Sequence, residues 1–173
     1  MKVVNESHRA MSDILPLVEF VAARAKYADM AYLHLYQPQY DARGNSLVGR
    51  AQALKDNDNP AGTTPSRVDM WLSRGVLYPR DNEYPEAGVG VVVLQDWREE
   101  FVLVLAHELR HIFHFWQTTP HPTNIEYDAE SFGVQVLNEW RAANGCAAIL
   151  PFHIRPSKPT RKVTANMAAR RSK

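Results

Sequence analysis

Apolar positions along the chain change their period several times, and each change marks an element. Leu17, Val18, Val21 and Ala25 recur at helical spacing behind Ser12 and Asp13, which are cap residues, and Pro16, which a first turn tolerates. A helix is predicted over about Ser12–Tyr27. Met30–Tyr36 (MAYLHLY) is aromatic and apolar without a breaker, which predicts a strand with His34 on a sheet face. From Gln37 to Arg67 no period survives among the Asp, Asn, Gly and Pro residues, and a long loop is predicted. Asp56 and Asp58 within it lack the Gly and the closing Glu of a calcium loop. Val68, Met70 and Leu72 alternate with polar residues as a short strand, and Gly75 then turns the chain into Val76-Leu77-Tyr78. After an irregular piece holding Pro79, Tyr84 and Pro85, Gly88–Leu94 (GVGVVVL) is the most strand-like segment of the chain.

Two long helices follow. From Trp97 to Gln117, at 100° per residue, Phe101, Val102, Leu105, Leu109, Ile112, Phe113 and Trp116 form a broad apolar face, and Glu99, Arg110 and Gln117 form a water-facing strip. His107, His111 and His114 fall on a third arc, flanked by Val104 and Phe115. Asp96 is the predicted cap, and Glu99 three residues on completes a capping box. The second helix runs to about Ala143, with Asn144-Gly145 as its stop. Its predicted buried side is Ile125, Ala129, Phe132, Gly133, Val136, Leu137 and Trp140. Glu126 and Glu130 lie on that side's margin, and Asp128, Gln135 and Glu139 face solvent. Thr123 as cap and Glu126 at the third helical position would form another capping box. An N-terminal helix, a small mixed or antiparallel sheet and two packed helices make an α+β domain.

The chemistry lies in His107-Glu108-Leu109-Arg110-His111, the pattern H-E-x-x-H. Two imidazoles a turn apart on one helix face can reach one zinc ion, and the Glu between them can act as general base. A third ligand is still needed. His114 is seven residues from His107, about 10 Å along the axis, too far to share an ion held at about 2 Å. Gln117 stands where the extended H-E-x-x-H-x-x-G-x-x-H pattern needs its last His. His121 remains open because a loop can fold back. Glu126 is favoured because a carboxylate beside a buried face needs a partner. Such a site keeps an open position for water, whose proton Glu108 would take. The oxyanion donor stays open among Tyr78, Tyr84, His114, His121 and His153, and Phe115 and Trp116 read as core or pocket wall.

His107-Glu108-x-x-His111 followed by Glu126-Tyr127-Asp128-Ala129-Glu130 resembles the gluzincin arrangement of zinc metallopeptidases. The second box is similar to the E-Y-x-A-D element of the prenyl-protein-processing and heat-shock membrane endopeptidases. Ala129-Glu130-Ser131-Phe132-Gly133 is similar to the A-x-x-F-A run of soluble ImmA- and IrrE-type peptidases. The resemblance implies a zincin-like fold, one Zn2+ per chain on His107, His111 and Glu126, and Glu108 as base. Glu130 would take the place of the Asp that orients a ligand imidazole. It departs from the pattern in three ways: membrane spans are absent, the gap from His111 to Glu126 is short, and Glu130 replaces the usual Asp. By fold analogy, Gly88–Leu94, just ahead of the metal helix, is expected to offer the sheet edge along which a peptide pairs.

Charge is uneven. All 19 acidic residues precede Arg155, and the last nineteen residues hold seven basic and no acidic side chains, although the whole chain carries only +1. One domain over 1–154 and a basic, disordered tail over 155–173 are expected, the tail serving as a contact for nucleic acid or another acidic partner. The single cysteine, Cys146, permits no internal disulfide and suits a reducing compartment. Met1–Leu15 is too polar for a signal peptide and no run reaches membrane-spanning length, so a cytoplasmic protein is expected. The function expected is a zinc-dependent endopeptidase acting on a protein substrate. Its rivals are a nucleic-acid-associated SprT-like protease with His121 as third ligand and a zinc-binding module without turnover.

Overall fold

The computed structural model describes residues 1–26, 28–37, 49–52, 66–72, 76–84, 90–116 and 122–147. Among them lie β1 (Lys2–Asn5), α1 (Met11–Ala22), β2 (Ala31–Tyr36), β3 (Gly49–Gln52), β4 (Ser66–Trp71), β5 (Arg80–Tyr84), β6 (Gly90–Leu94), α2 (Trp97–Trp116) and α3 (Ile125–Ala143). The class is α+β. A four-stranded mixed sheet has the order β1-β2-β4-β3, with β1, β2 and β4 parallel and β3 antiparallel to β4 at one edge. β5 and β6 form a separate antiparallel pair.

Alternation in β2 shows how the layers are made. Ala31, Leu33 and Leu35 are buried, and they meet Ile14, Leu17, Val18 and Val21 of α1 and the apolar stripe of α2 in one core. Tyr32, His34 and Tyr36 point to the other face and are only half-buried. His34 is a sheet-face histidine as expected, stacked on Tyr36 with ring centres 4.1 Å apart. α2 is the central element, packed against α1, α3, β3, β4 and β6. Its last turn is tied to the sheet by a hydrogen bond from Trp116 Nε1 to Ser66 Oγ of 2.8 Å.

Several boundaries differ from the sequence pattern, each for a physical reason. α1 starts at Met11 with Ala10 as a cap that makes no side-chain hydrogen bond, and it ends at Ala22. Ala25 is buried, but in the turn that follows. β1, β3 and β5 fall where no strand is expected. β1 is drawn in by parallel pairing with β2, and the polar β5 (RDNEY) by pairing with β6. β3 lies inside the predicted loop, and Leu77, in the segment before β5, is 87% exposed. Asp96 does cap α2, accepting from the backbone N–H of Arg98 and Glu99 at 2.8 and 3.0 Å. The cap of α3 is Asn124, which accepts from Tyr127 N at 3.0 Å, and not Thr123. Ile125 is exposed rather than buried.

α2 and α3 are joined at three levels. Glu99, placed by its wheel on the water-facing strip, is buried and takes two hydrogen bonds of 2.8 and 2.5 Å from Arg141 of α3. Arg141 also donates to the Val93 carbonyl at 2.7 Å. Midway, a Cβ at Gly133 would stand 3.0 Å from the Leu103 carbonyl oxygen and 3.6 Å from His107 Cβ, so glycine lets the helices touch beside His107. At the third level, Asp128 meets Arg110 and His114 of α2. No helix among the described residues is long and apolar enough to cross a membrane. The predicted tail over 155–173 and the boundary at 154 lie outside the described residues.

Candidate metal centre

α2 sets His107 and His111 one turn apart, with their Nε2 atoms separated by 3.0 Å. Because α3 begins beside the last turns of α2, its first turn brings Glu126 Oε2 to 3.7 Å from His107 Nε2 and 3.5 Å from His111 Nε2. Donors about 2.0–2.1 Å from a tetrahedral ion lie about 3.3 Å from one another, so these spacings bracket what zinc needs. Among the described residues this is the one group of three or more His, Cys, Asp or Glu whose donor atoms converge within 4.8 Å. Glu126 gains further from the N-terminal end of α3, where the aligned peptide dipoles favour a carboxylate.

The imidazoles suit ligation because they resist protonation. Burial first, then unfavourable electrostatics from the neighbouring His111 and His114 rings, pull His107 down to about 4. His111 is also lowered, chiefly by burial, with Glu126 opposing. His107 Nδ1 is buried with no hydrogen-bond partner among the described residues.

Glu108 faces β3. Burial pushes its carboxyl up to about 7, against a hydrogen bond from the Ala51 backbone N–H that lowers it, while the Glu126 carboxylate adds to the rise. A base near neutrality is what general-base catalysis at neutral pH requires. β3 lies so close that a Cβ on Gly49 would stand 2.6 Å from Val104 Cγ1 and 2.9 Å from Glu108 Oε1. These four residues are a part of the site that the sequence pattern misses. Their signal is the set of apolar residues Leu47, Val48, Ala51, Ala53 and Leu54, interspersed with Gly49, Arg50 and Gln52 inside a polar stretch. Gly88–Leu94, expected to supply the edge over the site, instead contributes β6 to the separate two-stranded pair.

These shifts oppose each other in their effect on stability. With chelator present, His107 stays neutral in the folded chain while the unfolded chain takes up its proton below about 6.5, so its contribution falls as pH drops from 6.5 toward 4. Glu108 does the reverse: the folded chain holds the proton that the unfolded chain gives up near 4.5, and this stabilisation is lost as pH rises through about 7. Glu108→Gln removes the second slope, and its stability relative to wild type should rise by about 3 kcal/mol between those two values. Urea unfolding in chelator across that range measures it, and parallel curves for the two proteins would refute it.

Glu130, expected to orient a ligand imidazole, is buried one turn past Glu126 on the same helix. His114 is placed 2.8 Å from Asp128 Oδ2 and outside the converging group. Tyr78 donates to Glu100 on the first turn of α2. Tyr84 lies on β5, and His121 and His153 lie outside the described residues. Asp128, read as solvent-facing, instead bridges two side chains of α2. A cleft of about 380 Å³ opens on the cluster, lined also by residues 49–51, Phe115 and Ile125. Comparison of the chain with family models, with curated proteins and with solved structures gives no match.

Proposed function

We propose that this chain is a zinc-dependent endopeptidase of zincin-like arrangement, which binds one Zn2+ through His107, His111 and Glu126 and hydrolyses peptide bonds of a protein. The observation that carries the proposal is the convergence of two imidazole nitrogens and a carboxylate oxygen at tetrahedral spacing beside a second, buried carboxylate. Zinc held there would supply Lewis acidity towards an amide carbonyl and make an attacking water more acidic. Glu108 receives the proton and hands it to the leaving amine. The edge strand β3 offers main-chain groups for an extended peptide, in the way sheet edges capture strands. Phe115 and Ile125, 48% and 39% exposed, give the cleft an apolar surface for a substrate side chain.

Metal content per chain, measured by mass spectrometry on the purified protein, is the test. One zinc is expected in wild type, much less in Glu126→Ala and one in His121→Ala. Unfolded casein should be cleaved, stopped by chelator and restored by zinc. A protein that binds no zinc after reconstitution ends the proposal. Zinc loss in His121→Ala would move the third ligand to that residue, and one zinc without cleavage would leave a binding module.

A further inference from the structure

Glu126 has to be held opposite the two imidazoles, and apolar burial does not hold it. Asn124, Ile125 and Tyr127 are exposed, and the Glu126 side chain is itself 45% exposed. Ala129 is the first fully buried residue of α3. What fastens the first turn to α2 is Asp128. Arg110 donates to it through both Nε and Nη2, the latter at 3.2 Å from Oδ1, and His114 Nε2 stands 2.8 Å from Oδ2. Both partners flank His111 on α2, and His114 is almost wholly buried at 2% exposure. Arg110 is kept in place by Phe113 and Phe132, whose ring centres lie 4.4 and 5.3 Å from its guanidinium carbon. Its planar fork fixes the direction of the carboxylate as well as its distance. The Asp128 carboxyl is held below its usual range, first by the Arg110 hydrogen bonds.

We propose that Asp128 is a positioning residue for the metal: clamped by Arg110 and His114, it fixes the first turn of α3 so that Glu126 faces His107 and His111. The proposal rests on the metal centre proposed above and adds a role that no donor atom of that centre fills. Neither Arg110 nor Asp128 is among the converging donor groups. They act chiefly through Glu126, with a smaller electrostatic pull of Asp128 on His111.

A double-mutant cycle read out as zinc affinity tests this, using competition with a chromophoric chelator on the full chain. Asp128→Ala should weaken zinc binding by about 10- to 100-fold, the range seen when groups that orient metal ligands are removed. In a Glu126→Ala background the same substitution should cost far less, because the ligand it positions is gone and only the weaker electrostatic pull on His111 remains. Arg110→Gln, which removes the fork and keeps the carboxylate, should give a smaller loss that Glu126→Ala also reduces. It serves as the second variant should Asp128→Ala fold poorly. An unchanged affinity in these variants, or the same loss with and without Glu126, overturns the proposal while wild-type zinc binding leaves the metal centre standing. No zinc binding in wild type overturns both.

Discussion

Glu108→Gln should leave a protein that binds its zinc as tightly as wild type and cleaves peptide about 10²- to 10⁴-fold more slowly, the usual contribution of a positioned proton acceptor. The substitution is informative because it changes so little else. Glu108 is not one of the converging donor atoms. Glutamine has nearly the same volume beside Gly49, and its amide oxygen can still accept from Ala51 N–H. Steady-state rates on one peptide, measured beside zinc content, separate the outcomes. A variant that keeps wild-type turnover would show that Glu108 is a buried packing group and that the base lies elsewhere. One that loses metal would show that Glu108 is a ligand.

Arg141→Met should cost about 3–5 kcal/mol of folding stability and leave zinc affinity unchanged. The Arg141 and Glu99 side chains are 8% and 6% exposed, so removing the guanidinium leaves a carboxylate in the interior with one backbone hydrogen bond, from Gln95 N at 2.8 Å. A buried ion pair gains little over an apolar pair, because desolvation offsets most of the attraction, but half a pair is expensive. Arg141→Met combined with Glu99→Leu should therefore recover most of the loss. Chemical denaturation of the two single variants and the double variant measures this. Additive losses in the double variant would mean that the pair is not the unit of stability. Zinc affinity stays constant because the pair joins the opposite end of the helix pair from Glu126.

These two cases also mark how far the sequence could be read. His107, Glu108 and His111 were legible because one helix, with a strong apolar stripe, sets their geometry without help from the rest of the chain. Glu126 was within reach because it borders a buried stripe on the next helix. Glu99 and Asp128 were misplaced on water-facing strips for one shared reason. A helical wheel gives direction around its own axis and says nothing of a polar partner arriving from a neighbour, which is what Arg141 is for the first residue and Arg110 and His114 are for the second. β3 escaped because its four residues owe their extended form to β4, which follows only after a stretch dense in Asp, Asn and Pro. β5 escaped likewise, since a strand written RDNEY takes its shape from main-chain pairing with β6.

β3 stands apart from the rest of the site in how it is secured. It is four residues long and, among the described residues, lies at the edge of its sheet and pairs with a single strand, whereas the three donor atoms sit on α2 and α3. Short edge elements open at lower free energy than the core they rest on. Its amides should accordingly exchange with solvent well before those of the middle turns of α2. Mild heat or denaturant would then release the strand that lines the cleft and donates to Glu108 while the helix pair still grips its ion. The proposed enzyme would stop cutting before it let go of its zinc.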